Sequence, residues 1–280
     1  MSAINGFQIH FELDAPEDIE PWGHGSERSL HWFGLTCGHY WISTPRGEVL
    51  RYTEEAMHRW GLNWPYVDYQ VARLFEDLEI LFAPVLEPVP IDVAKIVTDV
   101  DWYRRAETWR DAGEDGDGRW DLWYDATQWW HERALDTAYL SSGPHFNLWR
   151  VGDEVFFHWE ISSNQAKDWT LPNGRFSVSA KEFKTVTDQF FDGVLDAMQK
   201  RIEGIVADGW NRADCHLDIP QLVKEQIQRT NLLRTLRNKK SETDWDIARK
   251  ALVCLETEMK KSSDRTRRAA NKKPRTLDKV

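Results

Sequence analysis

Residues 146–161 read FNLWRVGDEVFFHWEI, two aromatic-rich runs that are separated by the dipeptide Gly152-Asp153. Glycine accepts a positive φ without a Cβ clash, so this dipeptide predicts a two-residue β-hairpin turn. The turn places Val151 opposite Glu154 and thereby fixes every other cross-strand pair. One face of the predicted hairpin is almost wholly apolar, and we expect its side chains to pack beneath helices: Phe146, Leu148, Val155, Phe157 and Trp159.

The other face of this hairpin mixes aromatic and polar side chains, as the walls of ligand pockets do. We take six residues as candidate ligand-binding positions: Trp32, Trp41, Asn147, Trp149, Phe156 and His158. The first two come from the run LHWFGLTCGHYWI, residues 30–42, where Cys37-Gly38 predicts a second hairpin turn. In that hairpin Trp41 would cover Gly34 from the opposite strand.

The flanking segments predict an α+β fold, an antiparallel meander or hairpin sheet packed against several long amphipathic helices, with a C-terminal helical hairpin. Residues 8–13 alternate between apolar and polar and predict a strand. Ser179-Ala-Lys-Glu182 is a capping box that predicts a helix start. We expect three parts: a Trp-rich α+β body over 1–212, the helical hairpin packed on it over 213–260, and a basic, disordered tail over 261–280.

Three further helices are expected from apolar residues that recur at steps of three and four. The first covers residues 67–82 and stops at Pro84, the second covers residues 92–111, and the third covers residues 120–138. An acidic, glycine-rich segment at 113–118 predicts a loop between the last two.

Charge is unevenly distributed along the chain. Residues 224–280 contain 17 basic and 8 acidic side chains, whereas the whole chain contains 36 basic and 46 acidic ones. The acidic body favours a basic partner. The three cysteines are far apart, which favours a reducing cytoplasm, and neither an export signal nor a membrane-spanning run is present in the sequence.

Motifs that mark particular chemistries are absent from the sequence. The chain lacks a phosphate-binding P-loop, a dinucleotide-binding glycine motif, a nucleophile elbow and paired CxxC motifs. We therefore assign no catalytic residue, no metal ligand and no cofactor.

The basic end of the chain is a candidate nucleic-acid contact, since clustered lysine and arginine bind phosphates in a salt-dependent manner. The residues concerned are Lys260, Lys261, Arg265, Arg267, Arg268, Lys272, Lys273 and Arg275. The alternative is a solvated end without a partner.

Several ordered aromatic motifs recur together: PWG at 21–23, LHWFGLTCGHYWI at 30–42, LWRVGDEVFFHWE at 148–160, and a helix with Phe183, Met198 and Arg201. In this arrangement the chain resembles an uncharacterised bacterial family, a domain of unknown function, over about residues 8–210. The resemblance implies no established activity and no catalytic residue, and it leaves the basic extension after Asp218 outside the family.

Three functions remain open from the sequence. The first is a non-catalytic binding protein, such as an immunity- or defence-associated component that captures a protein partner through its acidic, Trp-rich body. The second is a small-ligand or enzymatic pocket on the mixed face of the hairpin. The third is a nucleic-acid-associated accessory that acts through the basic end.

Overall fold

The computed structural model describes residues 6–114, 116–135, 137–140, 143–161 and 164–271. Within them the chain is α+β, with antiparallel sheets and long helices. The strands are β1 Gln8–Leu13, β2 Ser29–Leu30, β3 Cys37–Thr44, β4 Gly47–Val49, β5 Val67–Gln70, β6 Ala134–Leu135, β7 His145–Val151, β8 Glu154–Glu160, β9 Gly174–Ser179 and β10 His216–Leu217. The α-helices are α1 Glu54–Trp60, α2 Val71–Leu86, α3 Ile91–Val97, α4 Val100–Asp111, α5 Arg119–His131, α6 Ala180–Asp208, α7 Ile219–Leu236 and α8 Trp245–Asn271. Short 3₁₀ turns occupy Gly25–Glu27, Gly34–Thr36 and Ala166–Asp168.

The chain divides into two compact units that are each discontinuous in sequence. The first unit contains Met1–Pro88 and Arg133–Ser241, and the second contains Val89–Glu132 and Glu242–Val280. Two four-stranded antiparallel sheets, the parallel pair of β2 with β10, and the helices α2, α6 and α7 belong to the first unit. The second unit is helical, and in it α8 packs against α3, α4 and α5. The domain boundaries at residues 212 and 260 remain predictions.

The hairpin predicted over 146–161 is confirmed in position and in register. Val151 pairs with Glu154, Trp149 with Phe156, and Asn147 with His158. Together with β6 and β9 these strands form the second sheet, in the order β6-β7-β8-β9. Its apolar face is buried, as the alternation predicts, and it packs against α2 and α6.

The strand predicted over 8–13 is also confirmed, and it belongs to the first sheet. In that sheet β3 is central, with β1 along one edge and with β4 and β5 along the other. Its inner face carries buried apolar residues such as Tyr40, Ile42 and Val67, against which α2 packs.

The hairpin predicted at Cys37-Gly38 is wrong. Both residues lie inside β3, which runs without a turn from Cys37 to Thr44, while Gly34–Thr36 forms a 3₁₀ turn. The local sequence resembles a turn, but pairing with both β1 and β5 satisfies the backbone groups of this segment and keeps it extended. The glycine that an indole does cover is Gly174, where a Cβ would lie 2.2 Å from the ring of Trp159.

Helix boundaries differ from the predictions at several places. Residues 67–70 pair with β3 as β5, so α2 begins at Val71, and it continues past Pro84 to Leu86. Asp99 interrupts the helix predicted over 92–111, because its side chain accepts hydrogen bonds from the backbone of Asp101 and Trp102 and so caps α4. The third helix ends at His131, since Ala134–Leu135 pairs with β7 instead.

The capping box at the start of α6 is present. The hydroxyl of Ser179 accepts a hydrogen bond from the backbone N–H of Glu182 at 3.1 Å. On either side of the cap, Val178 and Phe183 are buried, as a hydrophobic staple requires. The cap therefore joins β9 to α6, the longest of the described helices.

Replacing Ser179 with alanine removes this cap and should lower the free energy of unfolding by about 1 kcal/mol. Ser179→Asn is the matched control, because asparagine also accepts at the N-cap and should keep most of the stability. Urea unfolding followed by circular dichroism measures both variants. If Ser179→Ala and Ser179→Asn lose the same free energy of unfolding, a role for the side-chain acceptor is contradicted.

Candidate functional site

The outward side of the first sheet is lined by polar and aromatic residues, and we call it the open face. Strand pairing sets its members, because residues that are opposite each other share a face. They are His10, Glu12, Asp14, Cys37, His39, Trp41, Ser43, Glu48, Tyr66, Asp68 and Gln70. Exposed Trp64 lies beside them, with its ring 6.1 Å from that of His39.

Three rings on the open face are stacked almost parallel, and we call them the aromatic stack. The ring of Trp41 lies 4.0 Å from that of Tyr66, at an interplanar angle of 12°, and 4.9 Å from that of His10, at 11°. Trp41 is half-buried, so part of its indole remains exposed to solvent. The stack presents an aromatic surface on an otherwise polar sheet.

Hydrogen bonds hold both ends of the aromatic stack. His10 Nε2 lies 2.9 Å from the Ser43 hydroxyl, and burial lowers the pKa of His10 although Glu48 opposes that shift. The Tyr66 hydroxyl donates to the Glu48 carboxylate at 3.2 Å, and the same carboxylate accepts from Arg51 at 2.6 Å. Burial and the neighbouring Glu48 raise the pKa of Tyr66. At neutral pH we therefore expect a neutral imidazole and a neutral phenol in the stack.

Acidic groups and a thiol gather at the other end of the open face. Asp14 follows β1, Cys37 begins β3 and Asp68 lies on β5, and one ligand atom of each lies within 4.8 Å of the others. Burial raises the pKa of Asp14, and nearby Asp68 raises it further while His39 and Arg201 lower it. The Arg201 guanidinium itself donates to the carbonyl oxygens of Leu35 and Asp14.

The four candidates on the second sheet lie on one face, but the side chains of Trp149, Phe156 and His158 are already in contact with other protein groups. Asn147 and Trp149 are only 3% and 2% exposed. The guanidinium of Arg175 lies 4.9 Å from the ring of Trp149 and 4.8 Å from that of Phe156, the position that a stacking ligand would take. His158 lies 3.3 Å from Glu160, and burial lowers the pKa of this histidine. A ligand pocket on this face stays a prediction.

Trp32 and Trp41, which the sequence places together, have different surroundings. Trp32 is fully buried; its indole N–H donates to the Gln226 side chain at 2.7 Å, and the Arg229 guanidinium lies 4.0 Å from its ring. It therefore lies in the core of the first unit, against α7. Only Trp41 belongs to the open face.

The basic candidates lie on or beyond the end of α8. Residues 261–271 are helical, where the sequence predicts a disordered tail, because lysine, arginine and alanine favour continuation of a helix. Lys261 pairs with Glu258 at 2.7 Å, and Lys260 lines a cleft of about 890 Å³ between α4 and α8. Lys272, Lys273 and Arg275 lie outside the described residues, as do the side chains of Arg265, Arg267 and Arg268. Nucleic-acid contact stays a prediction.

Most residues of the open face carry no local sequence signal. The alternation of Gln8–Leu13 does show His10 and Glu12 on one side of a strand. Nothing in the sequence pairs them with Trp41 or brings Asp14 and Asp68 to Cys37, because those neighbours are set by pairing between distant strands. Only Trp41 among these residues is a candidate from sequence reasoning.

In the described part of the chain, no helix combines the length and the apolar character that crossing a membrane requires. A family model described as a family of unknown function, DUF5984, matches residues 8–251. The match extends past residue 210 through α7 and into the start of α8, so the extension after Asp218 lies inside the matched range as far as residue 251. No curated protein and no solved structure matches the chain.

Proposed function

The chain belongs to DUF5984, a family of unknown function, and we propose that it is a non-catalytic binding protein that captures a basic segment of a partner protein on the open face. The observation that carries this proposal is the position of unpaired carboxylates beside a partly exposed aromatic stack on one sheet face. We propose that the protein acts as an immunity- or defence-associated component and neutralises a basic partner in the cytoplasm.

Charge complementarity supports a basic partner. Glu12 and Asp68 are exposed, and neither forms an ion pair with any side chain that the structure describes. On adjacent strands they flank His39 from both sides. Unpaired carboxylates in one patch attract a lysine or arginine side chain and speed the encounter with a basic protein.

The aromatic side chains add a second reason. Exposed indole faces bind guanidinium and ammonium groups through cation–π contact. Trp64 supplies such a face next to the carboxylates and is 44% exposed, whereas the two faces of Trp41 are covered by His10 and Tyr66. Arginine and tryptophan are also the residue types that dominate binding energy at protein interfaces.

A synthetic peptide rich in arginine should bind the full chain, whereas an acidic peptide of equal length should not. We expect Trp64→Ala to weaken binding by about tenfold, the equivalent of one cation–π contact of about 1.4 kcal/mol. Asp68→Asn should weaken binding similarly at low salt and less at high salt. Isothermal titration calorimetry in the presence of a chelator measures each affinity.

Trp120→Ala is the matched control, because Trp120 is 58% exposed and stacks on Tyr124 in the second unit. It should bind the arginine-rich peptide as the unmodified chain does. Equal losses of affinity for Trp64→Ala and Trp120→Ala would contradict the proposal, as would binding that does not change with salt.

A further inference from the structure

The acidic end of the open face brings together a thiol and two carboxylates from three neighbouring strands. Ligand atoms of Asp14, Cys37 and Asp68 lie within 4.8 Å of one another. Backbone pairing fixes this arrangement, because the Asp14 N–H donates to the Cys37 carbonyl at 2.9 Å and β3 pairs directly with β5. The three side chains are therefore held together by the sheet.

The Arg201 guanidinium lies close enough to lower the pKa of Asp14, but it donates to the carbonyl oxygens of Leu35 and Asp14. Among the described side chains, neither Asp14 nor Asp68 has a lysine or arginine within ion-pair distance. A cation bound among these donors would offset the repulsion between two carboxylates that are held this close together.

A fourth donor stands next to the cluster. His39 lies two residues after Cys37 on β3, faces Asp68 across the strand pair, and is close enough to Asp14 to lower its pKa. Its Nδ1 is buried and forms no hydrogen bond with any group that the structure describes. A buried ring nitrogen without a partner is uncommon, and metal coordination would satisfy it.

We propose that Asp14, Cys37 and Asp68 bind a divalent transition-metal ion of the zinc class, and that His39 completes a four-coordinate site. Zinc takes thiolate, imidazole and carboxylate ligands at about 2.0–2.3 Å in tetrahedral geometry. Bonds of that length place donor atoms about 3.3–3.8 Å apart, so the donors of Asp14, Cys37 and Asp68, which lie within 4.8 Å of one another, would need to move inward by about an ångström. A thiol donor disfavours calcium and magnesium, which take oxygen ligands.

Binding requires that Cys37 lose its proton, which passes to solvent as the sulfur–metal bond forms. Metal binding should therefore release acid and strengthen as the pH rises. The ion would also neutralise part of the open face at the end away from the aromatic stack. Metal binding needs no partner peptide, so the metal-binding experiment can fail while the peptide-binding experiment succeeds, and the reverse.

Purified full-length chain, stripped with a chelator and dialysed, should bind one equivalent of Zn²⁺ in competition with a chromophoric indicator. Co²⁺ in the same site should give a thiolate-to-metal charge-transfer band in the near ultraviolet. We expect Cys37→Ser to abolish that band, and Cys37→Ser, Asp68→Asn and His39→Gln each to weaken Zn²⁺ binding at least tenfold.

Cys254→Ser is the matched control, because Cys254 is an exposed cysteine on α8 in the second unit. It should keep both the band and the Zn²⁺ affinity. Asp68 is exposed, so Asp68→Asn should retain the circular dichroism spectrum and remain informative if Cys37→Ser unfolds. A Co²⁺ spectrum without a thiolate band, or unchanged Zn²⁺ affinity in Cys37→Ser or Asp68→Asn, would overturn the proposal.

Discussion

Gly38→Ala is expected to destabilise the first unit by about 3 kcal/mol or more, the largest effect that we predict for a single substitution. A Cβ at position 38 would lie 2.1 Å from the carbonyl oxygen of Glu12 and 2.8 Å from the Cα of Leu13. Both obstructing atoms belong to the backbone of β1, which pairs with β3 at this point. The clash can be relieved only by separating the two strands.

Urea unfolding followed by far-ultraviolet circular dichroism measures this loss as a lower midpoint. Gly204→Ala is the matched control with the opposite expected sign. Gly204 lies inside α6, and a Cβ there would meet no atom within 4 Å. Alanine favours the helix and restricts the conformations of the unfolded chain. The free energy of unfolding of Gly204→Ala should therefore rise by about 0.5–1 kcal/mol. If Gly38→Ala and the unmodified chain unfold at the same urea concentration, the predicted clash between the two strands is contradicted.

Glu79→Gln is expected to stabilise the protein at pH 8 by about 2 kcal/mol and to have little effect at pH 4.5. Glu79 lies on α2, is only 8% exposed, and its Oε1 has no hydrogen-bond partner in the described part of the chain. Burial raises the pKa of this carboxyl to about 7, with Arg229 lowering it and Glu76 raising it.

The sign of the pH dependence follows from proton binding. Because the pKa of Glu79 is higher in the folded protein than the ordinary value of 4.5, the folded state binds the proton more tightly. The stability that this group contributes is fully present below pH 4.5 and is lost as the pH rises towards 7. Above pH 7 the buried carboxylate is charged, and the neutral amide of the variant avoids that cost.

Unfolding curves between pH 4.5 and 8 test this prediction. The stability difference between Glu79→Gln and the unmodified chain should grow with pH. Glu203→Gln, on the exposed side of α6, should follow the unmodified chain at every pH. A difference that stays constant from pH 4.5 to 8 would contradict a raised pKa for Glu79.

Arg229 explains why Glu79 is tolerated in the core. Its guanidinium pairs with Glu76 at 2.8 Å and with Glu225 at 3.0 Å, and it lies over the ring of Trp32. The arginine thus connects α7 to α2 through its ion pair with Glu76 and contacts Trp32 through a cation–π contact. The sequence shows the pair with Glu225, four residues away on the same helix, but not the contacts with Glu76 and Trp32, which are far away along the chain.

The elements that were predicted well are those whose signals are local. The Gly152-Asp153 turn fixes the register of β7 and β8, because a two-residue loop leaves one pairing that buries the apolar face. Ser179 caps α6 because its hydroxyl is within reach of an N–H three residues later. The structure shows a similar local cap at α7, where the side chain of Asp218 accepts from the N–H of Gln221.

The predictions that failed depend on pairing between distant segments. Cys37-Gly38 has the composition of a turn, yet it is extended because β1 and β5 supply hydrogen-bond partners on both sides. Residues 67–70 fit the helical period of α2, yet the same pairing makes them a strand. In both places hydrogen bonds between distant strands outweigh the local conformational preference. The intrinsic strand preferences of different residue types span only about 1 kcal/mol.

The sequence by itself determined the α+β class, the central hairpin of the second sheet, the helix caps and the acidic character of the body. Only the tertiary structure decided that Trp32 is core, that Trp41 stacks with His10 and Tyr66, and that Asp14, Cys37 and Asp68 meet. The physical reason is that turns and caps are formed by residues a few positions apart. The residues on a sheet face come from distant strands, and the pairing of those strands depends on which arrangement buries the whole core.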